Sequence, residues 1–256
     1  MEGKVTFLGT GTSQGVPIIG CTCPVCSSSH QKDKRLRSSI LIQTEKTSVV
    51  IDTGPDFRQQ MLRARVNRLD AVVFTHGHKD HTAGFDDIRA FNFLQKKDMN
   101  VYLDKPTECI LRKDFDYVFE AETYPGVPRA QLFHLNGEPF QIGDLEFNPI
   151  QVYHYKMPVY GFRFGDFTYI TDANRIPQEE KEKIKGSKTL VLNALRKEDH
   201  ISHFTLKQAM ELADELGAEK TYFTHISHQM GLHEEVQETL PSNCELAYDE
   251  LTLTFN

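Results

Sequence analysis

His76-Gly77-His78-Lys79-Asp80-His81 crowds three imidazoles and one carboxylate into six residues. It follows Asp70-Ala71-Val72-Val73-Phe74-Thr75, an apolar run that reads as a buried strand. A strand end is where an α/β sheet places its chemistry. Imidazole is the commonest ligand for zinc and related ions, and a carboxylate suits harder divalent ions. His76 and His78 can point one way while Asp80 and His81 point another, so one loop can serve two adjacent ions. A polar turn that merely happens to be His-rich does not account for this spacing.

The 256 residues can form one large domain or two small ones, with a substantial core. No linker, repeat or low-complexity tract divides them, and one domain over residues 1–256 is expected. Net charge is −7, which argues against a general nucleic-acid binder. No apolar run reaches the ~20 residues that cross a bilayer, so no membrane association is expected. Met1-Glu2-Gly3-Lys4 leads directly into a strand without a signal-peptide core, giving a cytoplasmic expectation.

Working outward, Val5–Leu8 reads as a strand entering Gly9-Thr10-Gly11-Thr12-Ser13-Gln14-Gly15. Those glycines lack the G-K-[ST] ending of a phosphate cradle, so a tight loop beside a ligand is the better reading. Residues 39–43 and 48–52 form a hairpin, and helices are expected at 55–66, 86–94 and 105–119. Strands follow at 131–135, 145–154, 160–164 and 167–171, with Gly165-Asp166 as a two-residue turn. Helices at 177–185, 205–216 and 230–240 alternate with strands at 189–192 and 220–223, and residues 245–255 are β-prone. Two halves, each a sheet with helices outside, suggest a four-layer αββα sandwich.

A two-ion site needs more ligands than one loop provides. His154, Asp172 and His225 each end an apolar strand, and a carboxylate such as Asp172 can bridge two cations. A second cluster is Cys21-Thr22-Cys23-Pro24-Val25-Cys26. Three thiols of an odd total of five make poor disulfide arithmetic. They form three corners of a tetrahedral zinc site, with His30 or His228 available as the fourth. Cys109 and Cys244 read as packing residues. Arg175 and Arg196 lie near ligand segments and are candidates for holding a substrate phosphate.

The histidine loop, with Phe7-Leu8-Gly9-Thr10-Gly11, Ile51-Asp52-Thr53-Gly54, His154, Asp172 and His225 in order, resembles the metallo-β-lactamase superfamily. The resemblance implies the metallo-β-lactamase form of that sandwich. It implies one ion on His76, His78 and His154, another on Asp80, His81 and His225, and Asp172 bridging. Asp52 would orient ligands from behind; its alternative is a structural cap. Asp80 and Asp172 make the site hard, which suits phosphoesters and Mn or Zn.

The cysteine run together with Thr224-His225-Ile226-Ser227-His228 is similar to the phosphoribosyl 1,2-cyclic phosphate phosphodiesterase (PhnP) family. That resemblance implies a structural zinc completed by His228 rather than His30. It further implies a general acid from His200-Ile201-Ser202-His203, where His203 aligns better than His200, and a homodimer. The expected activity is hydrolysis of a small cyclic phosphodiester, of the 5-phosphoribosyl 1,2-cyclic phosphate or nucleoside cyclic phosphate type. Two alternatives remain: an endoribonuclease resembling the tRNA 3′-end-processing enzyme, and a metal-binding or cofactor-pathway protein without turnover.

Overall fold

The computed structural model describes residues 2–120 and 124–256. Its first sheet contains β1 (Gly3–Gly9), β2 (Ser39–Gln43), β3 (Ser48–Ile51), β4 (Ala71–Val73), β5 (Met99–Leu103) and β6 (Ala130–His134). The second contains β7 (Phe140–Ile142), β8 (Leu145–His154), β9 (Met157–Phe164), β10 (Phe167–Tyr169), β11 (Thr189–Asn193), β12 (Lys220–Thr224) and β13 (Cys244–Leu246). The last strand, β14 (Thr252–Phe255), returns to the edge of the first sheet beside β1. Strand order is β14-β1-β2-β3-β4-β5-β6 in one and β13-β12-β11-β10-β9-β8-β7 in the other. Each sheet is antiparallel on one side and parallel on the other. The parallel strands β3, β4 and β11 are buried on both faces, which is why they read as unbroken apolar runs rather than alternations.

Three apolar cores set the layers. Val5, Ile40, Ile51 and Val73 of one sheet meet Phe147, Phe162, Phe164 and Tyr169 of the other. On the outer face of the first sheet, Val50, Val72 and Val101 pack on side chains of α2 (Phe57–Arg63), α4 (Arg89–Gln95) and α5 (Lys105–Asp114). On the outer face of the second, Leu190, Leu192 and Phe223 pack on α6 (Gln178–Ile184), α7 (Leu206–Leu216) and α8 (His233–Gln237). The four-layer αββα sandwich is therefore present. Two short helices, α1 (Pro24–Ser27) and α3 (Lys79–Thr82), carry cysteine and histidine ligand candidates.

The expected elements differ from the structure mainly at their ends. The helix expected over 55–66 shortens to α2, because Arg65 turns to φ 53°. The expected 86–94 helix begins as a tighter 3₁₀ turn at Phe85–Ile88 before α4. The expected 105–119 helix stops at Asp114, where Phe115 leaves helical geometry, and resumes as a 3₁₀ turn at Asp116–Val118. The expected 230–240 helix reduces to α8, since Gly231 at φ 110° precedes it and Pro241 follows. Two strands escaped the pattern reading. In β5, buried Met99, Val101 and Leu103 alternate over only five residues, and β7 has three. β9 begins three residues early, so His154 and Met157 are paired across a tight turn.

Candidate metal centre and active site

The parallel strands end at one common edge, and the candidate ligands follow them. Asp52 comes after β3, Thr75 and His76 after β4, Asp172 after β10, His225 after β12, and His154 ends β8. Asp52, Asp172 and His225 have φ of 66°, 54° and 56°, the left-handed region that non-glycine residues rarely occupy. Strained backbone of this kind collects at functional sites, because it turns a side chain sharply off a strand end. The histidine loop also needs Gly54 beneath it, since a Cβ there would strike the Asp80 carbonyl.

Asp80, His81, Asp172 and His225 offer atoms all within 4.8 Å of one another. His76 and His78 form a second such group with Asp172, and His154 and His203 a third. Asp172 Oδ2 is 3.7 Å from His76 Nε2 and 3.4 Å from His81 Nε2, while its Oδ1 is 2.9 Å from His225 Nδ1. Those three ring nitrogens are buried and make no well-formed hydrogen bond among the described residues.

The opposite edge of each ring explains why these nitrogens are bare. His81 Nδ1 donates to Asp52 Oδ2 at 2.7 Å. His76 Nδ1 donates to the Thr75 hydroxyl at 2.9 Å, and that hydroxyl donates to Asp52 Oδ2 at 2.8 Å. His154 Nδ1 donates to the Ser202 carbonyl at 2.9 Å. His225 Nε2 faces the Thr12 hydroxyl at 3.4 Å. Asp52, the Thr75 hydroxyl and the Ser202 carbonyl each accept from one ring nitrogen, which turns the other nitrogen of His81, His76 and His154 inward, the usual arrangement around a metal.

The electrostatics agree with a cation-binding donor set. Burial works against ionised Asp172, yet the imidazoles of His225 and His81 hold its carboxyl well below the usual range. Burial likewise opposes charge on His81, but Asp80, Asp172 and Asp52 together push its pKa well above the usual value. Three carboxylates around one buried imidazole leave an excess of negative charge that divalent ions would neutralise. The orphaned nitrogens and this charge together fit two such ions.

His203 borders both groups without belonging to the two metal-facing sets. Its ring centroid is 4.5 Å from that of His154 and 4.9 Å from that of His225, and its buried Nδ1 has no hydrogen-bond partner among the described residues. Burial pushes its pKa down to about 3, against the pull of Asp172. Immediately after it, Thr205 and Gln208 exchange side-chain hydrogen bonds with each other's backbone N–H groups, a capping box that fixes the start of α7. His200 stands one ring further out, 5.1 Å from His203, with Nδ1 near the Ser202 amide and hydroxyl.

The second cluster lies behind the N-terminal loop. His228 Nδ1 is 3.3 Å from Cys21 Sγ, 3.3 Å from Cys23 Sγ and 3.6 Å from Cys26 Sγ. The ligand-to-ligand edge of a tetrahedral zinc site is about 3.5 Å, given Zn–S near ~2.3 Å and Zn–N near ~2.0 Å. These four donors therefore fit zinc. The Cys26 amide and His228 draw the Cys23 thiol down to about 6, while burial pushes Cys26 up to about 11. His30 is elsewhere, stacked on His233 and 3.6 Å from Glu234. All five cysteines are free thiols.

The arginine candidates are engaged by uncharged groups. Arg175 lies over the Tyr153 ring at 3.8 Å. Arg196 donates to Gln229 Oε1 and to the Glu198 and Asp199 carbonyls. Beside the histidines, a cavity of about 390 Å³ is lined by His78, His154, Tyr155, Lys156, Met157, Ile201 and Ser202. Sequence reading missed the hydroxyls of Thr12 and Thr75. Their signal is slight, being a threonine next to a histidine and another in a glycine loop.

A family model for the "Beta-lactamase superfamily domain" matches residues 47–226. The chain is similar to a solved structure described as a new diphosphatase from the PhnP family, with 41% identity and a TM-score of 0.94, covering 100% of this chain and 98% of that one. It is 39% identical over 251 residues to an octanoyltransferase of Porphyromonas gingivalis, a match that takes in 97% of this chain. The chain spans only about half of that relative's length, 51%. A coenzyme PQQ synthesis protein B of Methylobacterium nodulans matches at 30% identity over 100 residues, 34% of this chain and 33% of that protein. The chain belongs to the β-lactamase superfamily and, within it, to the PhnP family, and it has the metallo-β-lactamase fold.

Proposed function

We propose that this protein is a metal-dependent phosphodiesterase that opens a small cyclic phosphodiester of the ribose or nucleoside type. The observation that carries the reading is Asp172, whose two carboxylate oxygens meet imidazoles from both ligand groups. His76, His78 and His154 would hold one divalent ion and Asp80, His81 and His225 the other, with Asp172 shared and Asp52 orienting His81. Mn and Zn both suit this mixed nitrogen and oxygen donor set. When bound, such a pair lowers the pKa of water and offsets charge on the phosphoryl oxygens.

The chain's own residues supply the rest. Water adds to phosphorus and loses a proton to solvent, the P–O bond to the sugar breaks, and protonated His203 gives a proton to the departing alkoxide. Burial and the neighbouring imidazoles of His225, His154 and His200 disfavour charge on His203, and the phosphodiester anion would supply negative charge that favours its protonated form. Arg196, whose hydrogen-bond partners among the described residues are neutral, offers positive charge beside His200. Cys21, Cys23, Cys26 and His228 would hold a structural zinc.

A second reading is hydrolysis of a diphosphate anhydride, favoured by the 41% identity to a PhnP-family diphosphatase. The same donor set serves both, since each reaction displaces an oxygen from phosphorus. Metal-reconstituted protein offered a cyclic ribose phosphodiester, a nucleoside diphosphate sugar and a tRNA precursor separates the possibilities. The proposal expects the cyclic diester to be turned over fastest. Preference for the anhydride installs the second reading, preference for the tRNA precursor makes the chain a processing nuclease, and no turnover of any of them indicates a binding protein.

A further inference from the structure

We infer that Asn174 is a positioning residue for leaving-group protonation, holding the His154 turn and the His203 loop together through its side-chain amide. The inference rests on the reading that His203 donates the proton.

Asn174 lies two residues beyond Asp172. Its Oδ1 accepts a hydrogen bond from the Tyr155 amide at 2.8 Å, and its Nδ2 donates to the Ile201 carbonyl at 3.0 Å. The orientation of the amide follows from these partners, since one is only a donor and the other only an acceptor. Both contacts adjoin the site. Tyr155 follows His154 and takes φ 58°, a conformation disfavoured for a residue with a Cβ. Ile201 precedes Ser202, whose carbonyl receives the His154 Nδ1–H. The Ile201 side chain is 67% exposed, so packing does little to hold that end of the loop.

The loop has a second anchor. The Phe204 amide donates to the Ala173 carbonyl at 2.8 Å. His203 is thus suspended between two ties to one short segment, a backbone tie at Ala173 and a side-chain tie at Asn174. With the side-chain tie removed, residues 200–203 keep only the Phe204 amide and the His154–Ser202 hydrogen bond, and the outer end of the loop can shift. The His154 and His203 rings, 4.5 Å apart, would lose their fixed spacing. An off-target general acid matters only when the leaving group needs a proton.

The test uses the metal-loaded full chain and two phosphodiesters, one with an alkyl leaving group and one with p-nitrophenolate. Asn174→Ala should lower kcat about tenfold on the alkyl ester and less than about twofold on the p-nitrophenyl ester, with metal content unchanged. Asn174→Asp keeps the acceptor for Tyr155 but sets a carboxylate against the Ile201 carbonyl, so it should show the same selectivity even if the alanine variant folds poorly. In a His203→Ala background, Asn174→Ala should add little. Equal losses on both esters, or full additivity with His203→Ala, would overturn the inference and leave Asn174 a structural turn residue. If His203→Ala itself shows no preference between the esters, the proton-donor reading fails and takes this inference with it. If His203→Ala is selective and both Asn174 variants are not, only the inference fails.

Discussion

The protein carries two clusters of residues that could hold metal ions, and they are built on different plans. Cys21, Cys23 and Cys26 come from one six-residue stretch and close around a single nitrogen of His228. The histidine and aspartate cluster gathers residues from five strand ends, backs its rings with Asp52, Thr75, Thr12 or the Ser202 carbonyl, and leaves His203 and a cavity at its mouth. Four donors filling four corners leave no position for substrate. More donors shared between two centres, with an unpartnered imidazole alongside, do. The clusters are also joined. His225 and His228 are three residues apart, and Ile226 between them exchanges backbone hydrogen bonds with Thr10 and Thr12. These backbone bonds hold the loop that places Thr12 on His225, and His228 ties the same segment to the cysteines.

The largest expected effect breaks this contrast at its centre. Asp172→Ala should remove at least ~10³-fold of the activity. It should also loosen both catalytic ions while one zinc per chain survives mild chelation. Loss of only one catalytic ion, with the other held normally, would refute the shared role of Asp172. Elemental analysis and kinetics on the same preparation decide it.

Cys23→Ser attacks the other side. It should release one zinc and lower the thermal midpoint by roughly 10 °C, because metal binding in a closed thiolate site is folding free energy. Unchanged zinc content and an unchanged midpoint would mean that the three thiols are only packed together.

His203→Ala asks whether the open cluster works through a residue that is not a ligand. The loss should be about 10²-fold on a poor alkoxide leaving group and much smaller on p-nitrophenolate, with metal content unchanged. His200→Ala should be mild on both. A large effect at His200 and none at His203 would reassign the acid by one ring.

The smallest expected effect probes the link between the clusters. Thr12→Val removes the hydroxyl facing His225 Nε2 and should weaken metal retention or activity by about tenfold, as loss of a partner behind a ligand does. Should Thr12→Val match wild type while Asp52→Asn is severely impaired, the first loop plays no part in orienting His225.

What could be read in advance tracks how local each signal is. The histidine loop and the cysteine run are contiguous, so their chemistry is visible in a few residues. His154, Asp172 and His225 were legible because each ends an apolar run. The choice between His30 and His228 needed a resemblance, since a contact across some 200 residues leaves no mark in spacing. Thr12, Thr75 and Asn174 gave slight signals or none. A hydroxyl or an amide becomes a partner only after folding brings a ring or a carbonyl to it. The short strand at Met99–Leu103 was missed because five residues give too few alternations to stand out.

If water attacks phosphorus and opens a cyclic diester with metal bound at the Asp172 centre, the oxygen it brings must stay on phosphorus. ³¹P NMR of a cyclic ribose phosphodiester incubated with the metal-reconstituted protein in ¹⁸O-labelled water reads that directly. The wild type should form a ring-opened phosphomonoester carrying one ¹⁸O on phosphorus, and Asp172→Ala should not. An intact cyclic diester after prolonged incubation with fully loaded protein, or a product with its label on carbon, would rule out this chemistry.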